Sequence, residues 1–174
     1  KIRHVGLSNE TPWGVMRYLD EAKTKGLPRM ITIQNAYSLL TRIFEAGLSE
    51  VALKEGVGLM AYSPLAFGVL TGKYLDEMPK DGRLNLFPAY ARYSSPECTK
   101  AVSEYLKIAK KHGLSLAQLS LAFINQLPFV TGNIIGATKM SQLKENIDSI
   151  NVELSSDIID EINAVHNKMP NPAA

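Results

Sequence analysis

Four short apolar segments along this chain each become polar at their C-terminal end. The pattern predicts strands at residues 2–7, 30–33, 58–63 and 133–135, because short apolar runs bounded by turn residues are typical of buried strands. The polar residues at the four ends are Ser8-Asn9, Gln34-Asn35, Tyr62-Ser63 and Gly136 through Lys139.

Helical patterns follow the predicted strands. Thr11 and Pro12 supply the N-cap and first turn of the first helix, and Gly26 ends it. The other predicted helices cover residues 48–55, 96–112, 115–127, 139 or 141 onward, and 155 onward. Ser95 and Ser155 are the predicted N-caps of two of them, and Ser115 with Gln118 forms a capping box. Residues 66–95 form a long segment of little periodicity, typical of a functional loop, and the proline-rich tail at 169–174 is predicted to be loose.

The alternation of strands and helices predicts a parallel α/β fold. The sequence shows no internal repeat and no internal boundary, so residues 1–174 are interpreted as one domain. In α/β barrels and open α/β sheets, ligands bind at the carboxyl ends of the strands. A single polar pair there is more commonly an ordinary turn or cap, whereas four such pairs at one edge favour a binding site.

Composition and charge narrow the possible functions. A net charge of +2 indicates neither a nucleic acid nor a membrane surface as partner. The single cysteine, Cys98, fits a reducing cytoplasm, and three scattered histidines with one cysteine form no metal cluster. The sequence shows no apolar run long enough for a membrane span and no signal peptide. Because the chain opens in a strand pattern at Lys1 without an initiator Met, it is interpreted as part of something longer.

The most informative stretch runs from Gly58 to Tyr74. It begins as a buried strand, turns polar at Tyr62 and continues into a loop with small residues, hydroxyls and the cation of Lys73. Small residues let backbone N–H groups approach a ligand closely, and with a lysine this combination suits a pyrophosphate. The alternative is a strand followed by an ordinary surface loop.

A second cluster follows the fourth strand. Gln142, Glu145 and Asn146 are spaced i, i+3, i+4, so they share one face in the first turns of a helix, and Thr138 and Lys139 precede them. A cation, a hydroxyl and a helix N-terminus suit a phosphate, while carboxylate and amides suit the polar edge of an adenine. The alternative is a solvated amphipathic helix.

These residues carry a resemblance to a known family. The motifs are Val5-Gly6-Leu7-Ser8-Asn9, Ile33-Gln34-Asn35-Ala36-Tyr37, Tyr62-Ser63-Pro64-Leu65-Ala66 with Gly68, Leu70-Thr71-Gly72-Lys73-Tyr74, and Gly136-Ala137-Thr138 with Gln142-Leu143 and Glu145-Asn146. Together they resemble the motifs of the aldo-keto reductases. The branch is the one that includes bacterial Tas-like proteins and potassium-channel β-subunits. Ala36 departs from the proline of many relatives, with no functional consequence expected.

The resemblance implies half of a barrel. The family fold is a (β/α)8 TIM barrel, and this chain resembles only its C-terminal four βα units plus extra helices. The catalytic Asp, Tyr, Lys and His of the family lie in the N-terminal half, and His4, His112 and His166 match none of them. No catalytic residue and no metal ligand is therefore assigned to this chain.

The cofactor-binding positions carry over by motif. The resemblance implies that Ser8, Asn9 and Gln34 hold the nicotinamide carboxamide and that Tyr62 stacks on its ring. The pyrophosphate would be lined by Ser63, Leu65, Gly68, Thr71 and Lys73, with Arg83 added from the long segment, which would act as a cofactor clamp or substrate wall. The adenosine 2′-phosphate end would be held by Gly136, Thr138, Lys139, Gln142, Glu145 and Asn146.

The expected function is an NADP(H)-dependent oxidoreductase that reduces aldehydes or ketones to alcohols, with this chain supplying the cofactor-binding half. Two alternatives remain open: a cofactor-sensing regulatory subunit without turnover, and an inactive truncated fragment. The expected partners are a small carbonyl substrate and either the missing N-terminal half or a second copy of the chain, which would cover the open sheet edges. The identity of the substrate is not encoded in these residues.

Overall fold

A computed structural model describes residues 1–80 and 82–173. Its centre is a sheet of four parallel strands in the order of the chain, β1-β2-β3-β4. The strands are β1 (Val5–Ser8), β2 (Met30–Ala36), β3 (Gly58–Tyr62) and β4 (Val130–Ile134). The expected parallel α/β architecture is confirmed, and the strand order is that of four consecutive strands of a barrel.

Seven α-helices accompany the sheet in the described part of the chain. They are α1 (Pro12–Lys25), α2 (Leu48–Glu55), α3 (Arg83–Leu86), α4 (Pro96–Lys111), α5 (Leu116–Asn125), α6 (Met140–Asp148) and α7 (Ser156–Lys168), with 3₁₀ turns at Ile43–Glu45, Ala66–Thr71, Pro88–Ser94 and Ser149–Asn151. None of the described helices combines the length and apolar character that crossing a bilayer requires.

Local signals in the sequence set the starts of three of the described helices. The side chains of Thr11, Ser95 and Ser115 accept hydrogen bonds from backbone N–H groups in the first turns of α1, α4 and α5, as predicted. Ser155 is the N-cap residue of α7, but its side chain makes no capping bond. The long segment at 66–95 contains α3 and two 3₁₀ turns rather than only loop.

Within residues 1–80 and 82–173, helices cover one face of the sheet and leave the other open. Ile33, Leu59 and Ala61 are fully buried on that face and belong to one hydrophobic core with helix residues. On the opposite face Ser8 and Gln34 are exposed and Tyr62 is partly exposed. Parallel sheets are ordinarily covered on both faces, and in a barrel this second face is the interior.

Two strand boundaries differ from the predicted ones. β2 continues through Gln34 and Asn35 to Ala36, because these residues pair with Met60, Ala61 and Tyr62 of β3. β4 begins at Val130 rather than at residue 133. In both cases the pairing partner extends the strand beyond its apolar core.

The C-terminal tail is ordered as far as residue 173, so the prediction of a loose tail is wrong for the described part. The backbone N–H of Ala173 donates to Leu40 O at 3.2 Å, and its carbonyl accepts from Thr41 Oγ1 at 3.3 Å. Asn171 Oδ1 accepts from the backbone N–H of Arg42 at 2.6 Å. Residue 174 lies outside the described residues.

Arg42 anchors the same region from a nearly buried position, with 8% of its surface exposed. Its guanidinium donates to Glu45 Oε1 and Oε2 at 2.6 and 2.9 Å and to Asn163 Oδ1 at 3.0 Å. Burial opposes ionisation of Glu45, but hydrogen bonds from Arg42 and Tyr37 outweigh it and hold the pKa of the carboxyl below its ordinary value. The hydrogen bond to Asn163 therefore links the turn after β2 to α7, and the ion pair with Glu45 holds the guanidinium in place within that turn.

Candidate cofactor-binding site

The carboxyl ends of β1, β2 and β3 bring four predicted site residues together. Ser8 lies beside Gln34 in the register of β1 and β2, on the uncovered face. The next residue, Asn9, has a left-handed backbone with φ of 55°, and its N–H donates to Gln34 O at 3.0 Å. The hydroxyl of Tyr62 donates to Asn9 Oδ1 at 2.9 Å, which ties the β3 end to the β1 end. A hydroxyl, two amides and an aromatic ring therefore share one exposed edge.

Asn35 supports this edge, a role that the sequence reasoning missed. Its Oδ1 accepts from the backbone N–H of Glu10 at 3.1 Å, and its Nδ2 donates to Glu10 O at 3.0 Å. Because side chains alternate along a strand, Asn35 points away from the face that Gln34 occupies. The reciprocal pair fixes the turn between β1 and α1, and with it the position of Asn9.

The loop after β3 has an unusual backbone. Ser63, Ala66 and Phe67 have φ values of 54°, 47° and 62°, and Gly68 has 93°. Non-glycine residues seldom adopt this left-handed region, because their Cβ atoms strain the backbone there. Backbone strain of this kind concentrates at functional sites. Turns of this kind form concave backbone surfaces that bind anions.

Two cations approach this loop. A Cβ placed on Gly68 would lie 3.5 Å from Lys73 Cε and 3.6 Å from Lys73 Nζ, so the ammonium sits beside the Gly68 backbone. The guanidinium of Arg83 lies 4.0 Å from the ring centroid of Phe67. Arg83, from the later part of the 66–95 segment, therefore lies beside the loop after β3. Thr71 Oγ1 donates to Gly68 O at 2.8 Å and braces the same turn. The loop thus combines turned backbone with two exposed positive charges, as an anionic ligand requires.

The long segment packs against α4 and the loop. The Phe67 ring stacks on Tyr93, with centroids 6.0 Å apart, and meets Phe87 edge-on at 6.3 Å. A cavity of about 140 Å³ remains between the segment and α4, lined by residues that include Val69, Leu84 and Val102. This packing holds Arg83 near the loop and supports a wall beside the site.

The third cluster lies after β4. Gly136, Thr138 and Lys139 are exposed, and Lys139 is the N-cap residue of the nine-residue helix α6. Gln142 Oε1 accepts from both the backbone N–H and the hydroxyl of Thr138, at 3.1 and 3.2 Å. The start of α6 therefore has a cation, backbone N–H groups and an amide held in one orientation, which are groups that can bind an anion.

The three polar residues of α6 differ in exposure. Gln142 is exposed, Glu145 is half-buried with its Oε1 accepting from Ser115 Oγ at 2.6 Å, and Asn146 is buried. The three residues therefore range from solvent-exposed to buried, and Glu145 contacts the N-terminal residue of α5's capping box. Among residues 1–80 and 82–173, no group of three or more His, Cys, Asp or Glu could hold a metal ion.

Comparisons with known proteins fit this geometry. Residues 1–167 match the model of the aldo/keto reductase family. The chain is 54% identical over 174 residues to protein tas of Escherichia coli, covering 99% of this chain and 50% of that protein. It is 33% identical to an L-glyceraldehyde 3-phosphate reductase of E. coli, covering 87% of this chain and 45% of that protein. It is 36% identical to a probable voltage-gated potassium channel subunit beta of Oryza sativa, covering 91% of this chain and 48% of that protein. The chain thus spans about half the length of these relatives.

Proposed function

The chain belongs to the aldo/keto reductase family of oxidoreductases, and on that premise we propose that it is the cofactor-binding half of an NADP(H)-dependent reductase of aldehydes or ketones. The observation that carries this proposal is the polar edge shared by Ser8, Gln34 and Tyr62, continued by the cationic loop at Gly68 and Lys73. An aromatic ring and amides suit a nicotinamide, and the cations suit a pyrophosphate, which supports a dinucleotide as the ligand.

The nicotinamide end would lie over β1 to β3. Ser8, Asn9 and Gln34 offer a hydroxyl and amides for a carboxamide, and the ring of Tyr62 would stack on the nicotinamide. The bond between Tyr62 and Asn9 supports this role, because it holds the aromatic ring in place by its hydroxyl. Such stacking orients the face of the nicotinamide from which a hydride leaves.

The phosphates would lie along the loop after β3 and the start of α6. Turned backbone around Gly68, with Lys73 and Arg83, would take the pyrophosphate, alongside Ser63, Leu65 and Thr71. Lys139, with Gly136 and Thr138, would take a phosphate on the adenosine ribose. Gln142, Glu145 and Asn146 would face the adenine. An exposed lysine at a helix N-terminus favours a 2′-phosphate, which supports NADP(H) over NAD(H).

The bound nicotinamide would supply a hydride to a carbonyl carbon. The residues of this chain would bind and orient the dinucleotide, and they supply no proton donor, because the catalytic Asp, Tyr, Lys and His of the family match no position in it. Those groups would come from the half-barrel that completes the sheet. We call the chain together with that half the complete barrel. The lone free thiol, Cys98, supports a cytoplasmic setting for it.

The function is tested by separating the two halves. We expect residues 1–174 alone to show no NADPH-dependent reduction of 4-nitrobenzaldehyde, because the proton donor is absent and the site lacks half of its supporting shell. Mixing with a matching N-terminal half should restore some turnover, measured as loss of NADPH absorbance. Turnover by this chain alone, abolished by a change at Tyr62 or Lys73, would overturn the assignment of those residues.

A second function has one observation in its favour. A relative is named as a probable potassium channel subunit beta, so the same site could sense a cofactor without turnover. The complete barrel would then bind NADPH tightly and reduce no reactive aldehyde. If neither binding nor turnover is detected, the chain is an inactive fragment.

A further inference from the structure

Two side chains of the α6 cluster, Gln142 and Glu145, are held by hydrogen bonds to other residues of this chain. Gln142 Oε1 accepts two bonds from Thr138, so the amide oxygen is held toward Thr138 and the Nε2 group is left as a donor for a ligand. Glu145 Oε1 accepts from Ser115 Oγ at 2.6 Å, which leaves Oε2 of the carboxylate as an acceptor for a ligand. The cluster therefore offers one fixed donor and one fixed acceptor.

The orientation of Glu145 depends on α5, a different helix. Ser115 Oγ accepts from the backbone N–H of Gln118 at 3.0 Å, and Gln118 Oε1 accepts from the backbone N–H of Ser115 at 3.0 Å. This capping box occupies a lone pair of the hydroxyl on the side of Gln118, so its single proton is directed to Glu145. The N-terminus of α5 also favours a carboxylate at this place.

We propose that Ser115 is a positioning residue for cofactor recognition, holding Glu145 so that its free oxygen accepts the 6-amino group of adenine. This inference rests on the proposed function. Adenine presents an amino donor beside a ring-nitrogen acceptor, which complements the carboxylate of Glu145 and the amide donor of Gln142. Hypoxanthine carries a carbonyl oxygen in place of the amino group, so it would set an acceptor against the carboxylate.

The test compares NADPH with reduced nicotinamide hypoxanthine dinucleotide phosphate in the complete barrel. Dissociation constants are measured by fluorescence titration. We expect the natural protein to bind NADPH about tenfold more tightly or better, as a hydrogen bond to a charged group predicts. Ser115→Asp keeps an N-cap acceptor but has no proton for Glu145 and adds a like charge. The ratio of the two dissociation constants, hypoxanthine dinucleotide over NADPH, should therefore fall close to one. Ser115→Thr, which keeps both bonds, should retain it.

The matched control is Ser95→Asp, the same change at the N-cap of α4, where Ser95 Oγ accepts from Cys98 N at 3.1 Å. It should leave the ratio unchanged. If Ser115→Asp does not fold, Ser115→Gly removes the hydroxyl at only a small capping cost and should likewise lower the ratio.

The ratio distinguishes positioning from a purely structural role. If the Ser115 variants weaken both dinucleotides by the same factor, Ser115 acts only on helix stability and the inference is wrong. The inference is also overturned if the natural protein binds both dinucleotides equally. Binding of neither NADPH nor NADH by the natural protein would refute the proposed function itself, and the inference with it.

Discussion

At the scale of single residues, we expect the charge at the first turn of α6 to decide which dinucleotide the proposed site favours. Lys139 is exposed at the N-cap position, and Thr138 beside it holds Gln142. Lys139→Glu should weaken NADPH binding by about 10- to 100-fold, since it replaces a charge-assisted contact by repulsion. NADH, without the 2′-phosphate, should be affected far less, as titration of the complete barrel with both cofactors would show.

Lys144→Glu provides the control for Lys139. Lys144 is an exposed lysine on the same helix, paired with Asp148, so the variant changes the net charge by the same amount. It should alter the two affinities little. Equal weakening of NADPH and NADH by Lys139→Glu would show that Lys139 does not contact the phosphate.

Arg42 is a single residue on which stability depends. Arg42→Ala should lower the free energy of unfolding by about 3 kcal/mol, the low end for breaking a buried ion pair, because Glu45 keeps some contact with water. Urea unfolding monitored by circular dichroism would measure the loss. A loss below about 1 kcal/mol would mean that water replaces the guanidinium at Glu45.

The same pair predicts a pH dependence. The pKa of Glu45 is lower in the folded protein than its ordinary value of 4.5, which applies to the unfolded chain. The ionised carboxyl therefore stabilises the folded state above pH 4.5, and this stabilisation is lost as the pH falls through the pKa of the folded state. Wild-type stability should therefore fall between neutral pH and pH values below 4.5 more steeply than that of Arg42→Ala. Parallel curves for the two proteins would contradict this account.

At the scale of elements, the loop after β3 depends on Gly68. With φ of +93°, Gly68→Ala should cost about 1 kcal/mol of stability. It would also place a methyl group in van der Waals contact with the Lys73 side chain, on the backbone surface proposed to face the pyrophosphate. We expect NADPH binding to weaken about fivefold or more, measured by titration.

Gly26→Ala is the matched control for the loop. Gly26 ends α1 with φ of +63°, and a Cβ there would meet nothing within 4 Å. It should cost similar stability and leave the NADPH affinity unchanged. If both variants bind NADPH as the natural protein does, the turned backbone at Gly68 does not contact the cofactor.

For the whole molecule, we expect a partner to close the open sheet. Ile134, at the end of β4, is 37% exposed, and Ile147 and Ile150 beyond it are 56% and 65% exposed. Uncovered apolar surface and open strand edges both favour association. We expect the missing half-barrel, or a second copy of this chain, to cover the edges of β1 and β4.

Sedimentation and hydrogen exchange together test this closure. Ile147→Lys should weaken the association, whereas Leu53→Lys, at an exposed position on α2 within the helix layer, should not. The backbone amides of β1 and β4 should become more protected on association. A well-ordered monomer with both edge strands open to water would count against the prediction.

Local chemistry determined most of the secondary structure. Thr11, Ser95 and Ser115 begin helices because their oxygens satisfy backbone donors within a few residues, and such signals need no tertiary contact. The parallel order followed from the alternation of strands and helices. The motifs that carry the family resemblance were likewise visible in the residues alone.

Tertiary structure decided what no local pattern could. Asn35 and Gln34 are adjacent amides, yet one clamps a turn and the other faces the site, because the sheet register assigns them to opposite faces. The tail is ordered because Thr41 and Arg42, more than 120 residues earlier, supply its partners. Ser115 reaches Glu145 across 30 residues. The sequence by itself determined the elements and the chemistry at their ends, whereas long-range contacts decided which of those groups are free to meet a ligand.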